Sequence, residues 1–317
     1  MSIINKREYY KPFEYQQCAD FLKKQQRAHW IADEVPLAND LTDWKSNLTD
    51  NEKHIIGSIL KGFAQTEVHV EDYWSTKVSK WFPKPEIQGM AVTFASFETI
   101  HAEAYSRLNE ELGLDDFSAF LEDPTTKAKL DRLAEVEDTT LSEIAISLAI
   151  FSAFTEGVNL FSSFAILMSF QMRNMMKGTG QIVEWSVRDE SLHSTAGCWL
   201  FNTLLKEHPE LNTEEMKSKI EDACRLSIQL EIDFIETVFS LGDIEGLKKS
   251  QVINFIKERA NSKLEELGYN AIYFDIDPNE LKEMEWFSHL TSGKTQQDFF
   301  AGRVTDYAKS TSDWSNL

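Results

Sequence analysis

Apolar residues recur along this chain at helical rather than strand spacing. Val92, Phe94, Phe97, Ile100, Ala104 and Leu108 form one helix-period track, which Gly113 is suited to end. Ile182, Trp185, Leu192, Trp199, Leu200 and Leu204 form another, running to His208-Pro209. Thr49-Asp-Asn-Glu52 has the form of a capping box, so a helix is expected from about 50 to 80, before Pro83 and Pro85 interrupt. A second box, Thr140-Leu-Ser-Glu143, opens a segment in which only Glu156 and Asn159 are strongly polar between Ile144 and Phe170. Lys177-Gly-Thr-Gly180 reads as a turn. Asn212 to Glu215 begins a helix ending near Gly242, and Val252 to Leu267 supports another. The pattern predicts about eight helices and no strand-rich block, so the expected class is all-α. It dissolves after about residue 290, which predicts a single helical domain over 1–290 and a polar C-terminal tail over 291–317.

The 144–170 segment reaches the roughly 20 residues that a bilayer requires. Glu156 near its middle and Arg173 close behind favour a buried core helix over a membrane span. An ionised carboxylate inside such a helix needs a partner, and a metal ion would supply one.

Composition narrows the function classes. With 52 acidic against 32 basic residues the net charge is −20, which repels nucleic-acid backbones and anionic lipid surfaces, so neither nucleic acid nor membrane is expected as a partner. Cys18, Cys198 and Cys224 are an odd, widely spaced set that suggests neither a disulfide scaffold nor a zinc site. The N-terminal residues lack the apolar core of a signal peptide, and a cytoplasmic setting is expected.

The chemistry is concentrated in two Glu-x-x-His words, Glu98-Thr-Ile-His101 and Glu190-Ser-Leu-His193. On a helix, residues i and i+3 share a face, so each word offers a carboxylate and an imidazole to one point in space. Glu, Glu-x-x-His, Glu and Glu-x-x-His from four helices form the ligand set of ferritin-like carboxylate proteins, and Glu156 supplies one isolated glutamate. Hard carboxylates with one imidazole per metal suit iron or manganese, hence oxygen chemistry. Tyr105 follows one turn beyond His101 on the same face, and Asp189 is placed to accept the spare N–H of a ligand histidine.

Phe97-Glu-Thr-Ile-His-Ala-Glu-Ala-Tyr105 and Val187-Arg-Asp-Glu-Ser-Leu-His193 resemble the two signature stretches of the radical-generating small subunit of class I ribonucleotide reductase. The resemblance spans nearly the whole chain, from His29-Trp-Ile-Ala-Asp-Glu-Val35 to the tail, and implies a ferritin-like helical bundle. It implies Glu67, Glu98 and His101 as ligands of a first metal and Glu156, Glu190 and His193 of a second, with Glu98 and Glu190 bridging. His69 lies close enough to Glu67 in sequence to call for caution. The resemblance further implies a hydrogen bond from Trp30 to Asp189, a radical relay through Tyr307, and docking of the last residues, around Trp314 to Leu317, on a separate catalytic (alpha) subunit. A homodimer that serves ribonucleoside-diphosphate reduction is expected.

Glu67 stands where iron and tyrosyl-radical members usually carry aspartate, and resembles manganese-using members. Mixed manganese–iron members replace the radical tyrosine with phenylalanine, whereas Tyr105 is retained here. The combination leans toward a manganese pair, with an iron pair or a mixed Mn/Fe pair as alternatives. Two other functions compete: a different ferritin-like dimetal oxidase or monooxygenase component, and a metal-storage bundle.

Overall fold

The computed structural model describes residues 2–114, 116–118, 124, 127, 128, 131 and 138–291. Helix α1 (Gln16–Arg27) has no counterpart in the apolar pattern read above: it is rich in Lys and Gln and buries only Cys18, Ala19, Phe21 and Gln25. Its start is fixed from outside, because the buried Glu86 carboxylate accepts the backbone N–H groups of Glu14 and Tyr15 at 2.9 and 3.1 Å. Arg7 neutralises Glu86 through a doubly hydrogen-bonded ion pair.

Both capping boxes form, each with reciprocal side-chain and backbone bonds. Thr49 and Glu52 start α2 (Asp50–Asp72), which continues as a π-helical stretch over Tyr73–Val78 and ends after Trp81. Pro85 occupies the first position of α3 (Pro85–Leu112), where a missing N–H costs nothing, and Gly113 ends it at φ 72°. Thr140 and Glu143 start α4 (Leu141–Ala149), which passes through a π-helical stretch, Ile150–Asn159, into α5 (Phe161–Ser169). Then follow α6 (Lys177–Glu207), α7 (Glu214–Val238) and α8 (Lys249–Glu266). Among the described residues the only β feature is an isolated bridge between Ile244 and Leu247.

Helix α2 packs along α3, α6 packs along the Ile150–Asn159 stretch, and α1 lies across α3 and α6. The run Leu141–Arg173 is long and apolar enough to cross a membrane, yet 72% of its most apolar window is buried inside the bundle. It forms the wall of the core, as expected. All three cysteines are buried and free.

One expectation fails. Lys177-Gly-Thr-Gly180 is not a turn but the first turn of α6; the chain reverses just before it, at Asn174 and Met176, both with positive φ. The Asp40 carboxylate accepts the N–H groups of Gly178 and Thr179 at 2.9 and 2.6 Å, capping the helix from a distant segment. A Cβ on Gly178 would stand 2.8 Å from the Pro36 carbonyl oxygen, so glycine here permits close packing and not a bend. The expected tail beyond Thr291, with Tyr307, Trp314 and the docking role, lies outside the described residues.

Candidate metal centre

Glu67 comes from α2, Glu98 and His101 from α3, Glu156 from the π-helical stretch, and Glu190 and His193 from α6; all six are 0% exposed. They converge as two overlapping groups, Glu67–Glu98–His101–Glu190 and Glu98–Glu156–Glu190–His193, each offering donor atoms within 4.8 Å of one another. Glu98 and Glu190 belong to both groups, which is the placement a bridging carboxylate needs. His69, by contrast, is exposed and stands outside both groups.

The donor atoms are largely bare. Both oxygens of Glu67 and of Glu190, one each of Glu98 and Glu156, and His193 Nδ1 are buried without a hydrogen-bond partner. His193 Nδ1 lies 2.6 Å from Glu98 Oε1 but without hydrogen-bond alignment. Such crowding of unsatisfied carboxylate oxygens costs several kcal/mol unless a cation occupies the space between them.

Titration behaviour shows the same frustration. Burial, aided by the charge of Glu190, pushes Glu67 and Glu156 well above the carboxylate range. Burial and Glu98 raise Glu190 to about 7. For Glu98 burial acts upward too, but the charges of His193 and His101 outweigh it and hold the group at about 2. Four carboxylates and two neutral imidazoles would be balanced by two divalent cations, so the residues present fit a metal pair.

Behind the cage sits Asp189. Its Oδ2 accepts Trp30 Nε1–H at 2.8 Å and faces His101 Nε2 at 3.3 Å, while Oδ1 accepts Gln25 Nε2–H at 3.0 Å and Arg188 Nε–H at 3.2 Å. Burial would raise Asp189, but these donors and the charges of His101 and Arg188 lower it, so it is ionised at neutral pH. The Trp30 ring also stacks on His101, with centroids 5.8 Å apart, and lies 5.2 Å from Trp185, a half-buried ring. Tyr105, 0% exposed, keeps its hydroxyl unpaired beside this cage, and burial together with the Glu67 charge raises it well above the phenol range.

Two neighbours of the cage escaped the sequence reading. Trp74 donates Nε1–H to Glu156 Oε1 at 2.5 Å, and Gln25 accepts from His193 Nε2–H at 3.2 Å. Trp74 carried a usable signal, since it lies seven residues beyond Glu67 and so two helical turns along the same face. Gln25 carried none.

Helices delivering paired glutamates and histidines into one dry core define this chain as a ferritin-like helical protein with a candidate two-metal centre. The family model "Ribonucleotide reductase, small chain" matches residues 7–280, and the chain belongs to that family. It is 32% identical to a probable ribonucleoside-diphosphate reductase small subunit of Invertebrate iridescent virus 3, covering 99% of this chain and 88% of the relative. Among solved structures, the R2 subunit of Clostridium botulinum ribonucleotide reductase superimposes with a TM-score of 0.84 at 20% identity, over 92% of this chain and 94% of that one. The dimanganese(II)-NrdF of Streptococcus sanguinis does so with a TM-score of 0.76 at 21% identity, over 88% and 99%. The expected function, a ribonucleotide reductase small subunit, is borne out, and the other-oxidase reading is not favoured.

Proposed function

We propose that this chain holds two metal ions between Glu67, Glu98, His101, Glu156, Glu190 and His193 and lends an oxidising equivalent from that centre to a separate catalytic subunit, for reduction of ribonucleoside diphosphates. The bound pair would supply a one-electron oxidant, while the protein keeps it dry and gives it an exit. The observation that carries the reading is the unbroken contact from Trp30 through Asp189 to His101, at 2.8 and 3.3 Å. A storage bundle has no use for it. When an electron leaves the indole of Trp30, the N–H proton has an ionised acceptor already in hydrogen-bond contact, so neither charge nor proton is stranded in the core.

Beyond Trp30 the proposed relay passes to Tyr307 in the tail, whose last residues, around Trp314 to Leu317, dock on the catalytic subunit. The chain is proposed to act as a homodimer. For the metals, a manganese pair is favoured: Glu67 reaches one methylene farther than aspartate and widens the ways its carboxylate can bind. In that case the oxidising equivalent stays on the metals and Tyr105 need not store it.

Mixing with the organism's catalytic subunit tests the reading. Deoxynucleotide formation is expected for the wild-type chain and its loss for Tyr307→Phe, with the metal content of the variant unchanged. Formation by the variant at the wild-type rate would remove Tyr307 from the relay. Metal analysis with electron paramagnetic resonance separates the metals: a multiline manganese signal supports the pair, and a sharp tyrosyl signal scaling with iron content overturns it.

A further inference from the structure

The two metal positions have equal sets of donors, one unshared glutamate, one histidine and the two shared glutamates Glu98 and Glu190, but they differ in what stands behind those donors. His101 turns Nδ1 toward Glu98 and Glu190, at 3.0 and 3.1 Å, and Nε2 toward the Asp189 carboxylate. His193 likewise turns Nδ1 inward, toward Glu98, but its Nε2 meets the neutral amide of Gln25.

Chemistry fixes the orientation of that amide. A carboxylate only accepts, so Gln25 Nε2 must face Asp189 Oδ1, which leaves Oε1 to face His193 Nε2. In the neutral ring the His193 proton therefore resides on Nε2, and Nδ1 is the lone-pair donor. Gln25 is 0% exposed, and the helix that carries it is pinned by Glu86, so the amide cannot turn away to water. An imidazole bonded to a carboxylate is a more basic ligand than one bonded to an amide. A second observation points the same way: Trp74 occupies one oxygen of Glu156, whereas both oxygens of Glu67 are bare.

We propose that Gln25 is a positioning residue that fixes the His193 tautomer and makes the two metal positions unequal, the Glu67–His101 position holding its ion more tightly than the Glu156–His193 position. This rests on the two-metal reading above. Titrating the metal-free full-length protein with Mn(II), with free ion followed by electron paramagnetic resonance, tests it. Two ions should bind in unequal steps. Gln25→Met, which keeps volume but loses both hydrogen bonds, should leave the tight step and weaken the loose one by about 10- to 100-fold. Gln25→Glu, whose carboxyl can make both bonds when it carries a proton, should restore much of that step.

His193→Ala and His101→Ala test the order of the steps even if Gln25→Met does not fold. The first should retain the tight step and the second should lose it. Equal steps in the wild-type chain, the opposite order in the histidine variants, or equal weakening of both steps by Gln25→Met would overturn the proposal. Binding of no ion pair by the wild-type chain would overturn the two-metal reading itself, a result distinct from two ions bound equally.

Discussion

Trp30 and His101 share one carboxylate oxygen: Asp189 Oδ2 lies 2.8 Å from Trp30 Nε1 and 3.3 Å from His101 Nε2. An indole 2% exposed is thereby joined by hydrogen bonds to the candidate metal centre. Asp189 is held from its other side by Gln25 and Arg188, so its orientation does not depend on Trp30.

Trp30→Phe is therefore expected to separate metal assembly from turnover. The phenyl ring keeps most of the packing but donates nothing to Asp189. Metal uptake should remain, while deoxynucleotide formation with the catalytic subunit falls by on the order of 100-fold, equivalent to about 2.7 kcal/mol in the barrier. Parallel metal analysis and turnover measurements check this, and equal loss in both would point to a purely structural Trp30.

Without metal, the centre should make the protein less stable as pH rises from about 5 to about 8. Glu190 titrates at about 7 in the fold against 4.5 when unperturbed, so between those values the unfolded chain has released a proton that the folded chain still holds. Stability therefore falls with pH, by about 3 kcal/mol for this group alone. Glu67 and Glu156, also raised, act in the same direction. So does His101, whose pKa is pushed well above 6.5 because Glu98, Asp189 and Glu190 outweigh its burial. Glu98, held at about 2, changes only at lower pH. Binding Mn(II) should reverse the trend, because the ions compete with the protons for the same oxygens. Melting temperatures of metal-free and manganese-loaded protein across this window give the test; a metal-free curve that climbs with pH would refute the protonation pattern.

The cluster of candidate ligands is largely legible in the sequence, and its supports are not. Glu98 and His101 lie three apart on one helix, so helical geometry alone places them together, and the second word repeats the argument. Glu156 showed itself as a charge without company in an apolar run. Gln25 lies on a helix with little apolar pattern and reaches partners 164 and 168 residues away, contacts that no local periodicity encodes. The glycines of 177–180 misled for a related reason: glycine serves both turns and close approaches, and only the position of Pro36, more than a hundred residues earlier in the chain, distinguishes them.

Tyr105→Phe is expected to stabilise the metal-free protein by about 1 kcal/mol, because the hydroxyl it removes is buried without a partner. On the manganese reading, the multiline signal of the matured variant should match that of the wild-type chain. Chemical denaturation and the resonance spectrum check the two halves separately. Loss of all oxidised signal in the variant would place the stored equivalent on the phenol.

Gly197 on α6 meets Ser152 in the π-helical stretch that presents Glu156, and a Cβ there would stand 1.8 Å from Ser152 Oγ and 2.5 Å from Ser152 Cβ. Neither helix has room to retreat, since both are buried at this level. Gly197→Ala should therefore cost about 1–3 kcal/mol through overpacking, reduced by the roughly 1 kcal/mol that alanine gains in a helix. The site should also feel the change, because pushing Ser152 outward displaces the backbone four residues before Glu156. Metal titration is expected to show the Glu156–His193 position weakened more than its neighbour. Adding Ser152→Gly removes the colliding atoms and should recover the lost affinity even though a glycine in that stretch lowers stability again by up to about 1 kcal/mol. Recovery of affinity without recovery of stability identifies the contact as one that positions Glu156; failure of the double variant to regain affinity would show that this helix spacing does not govern the site.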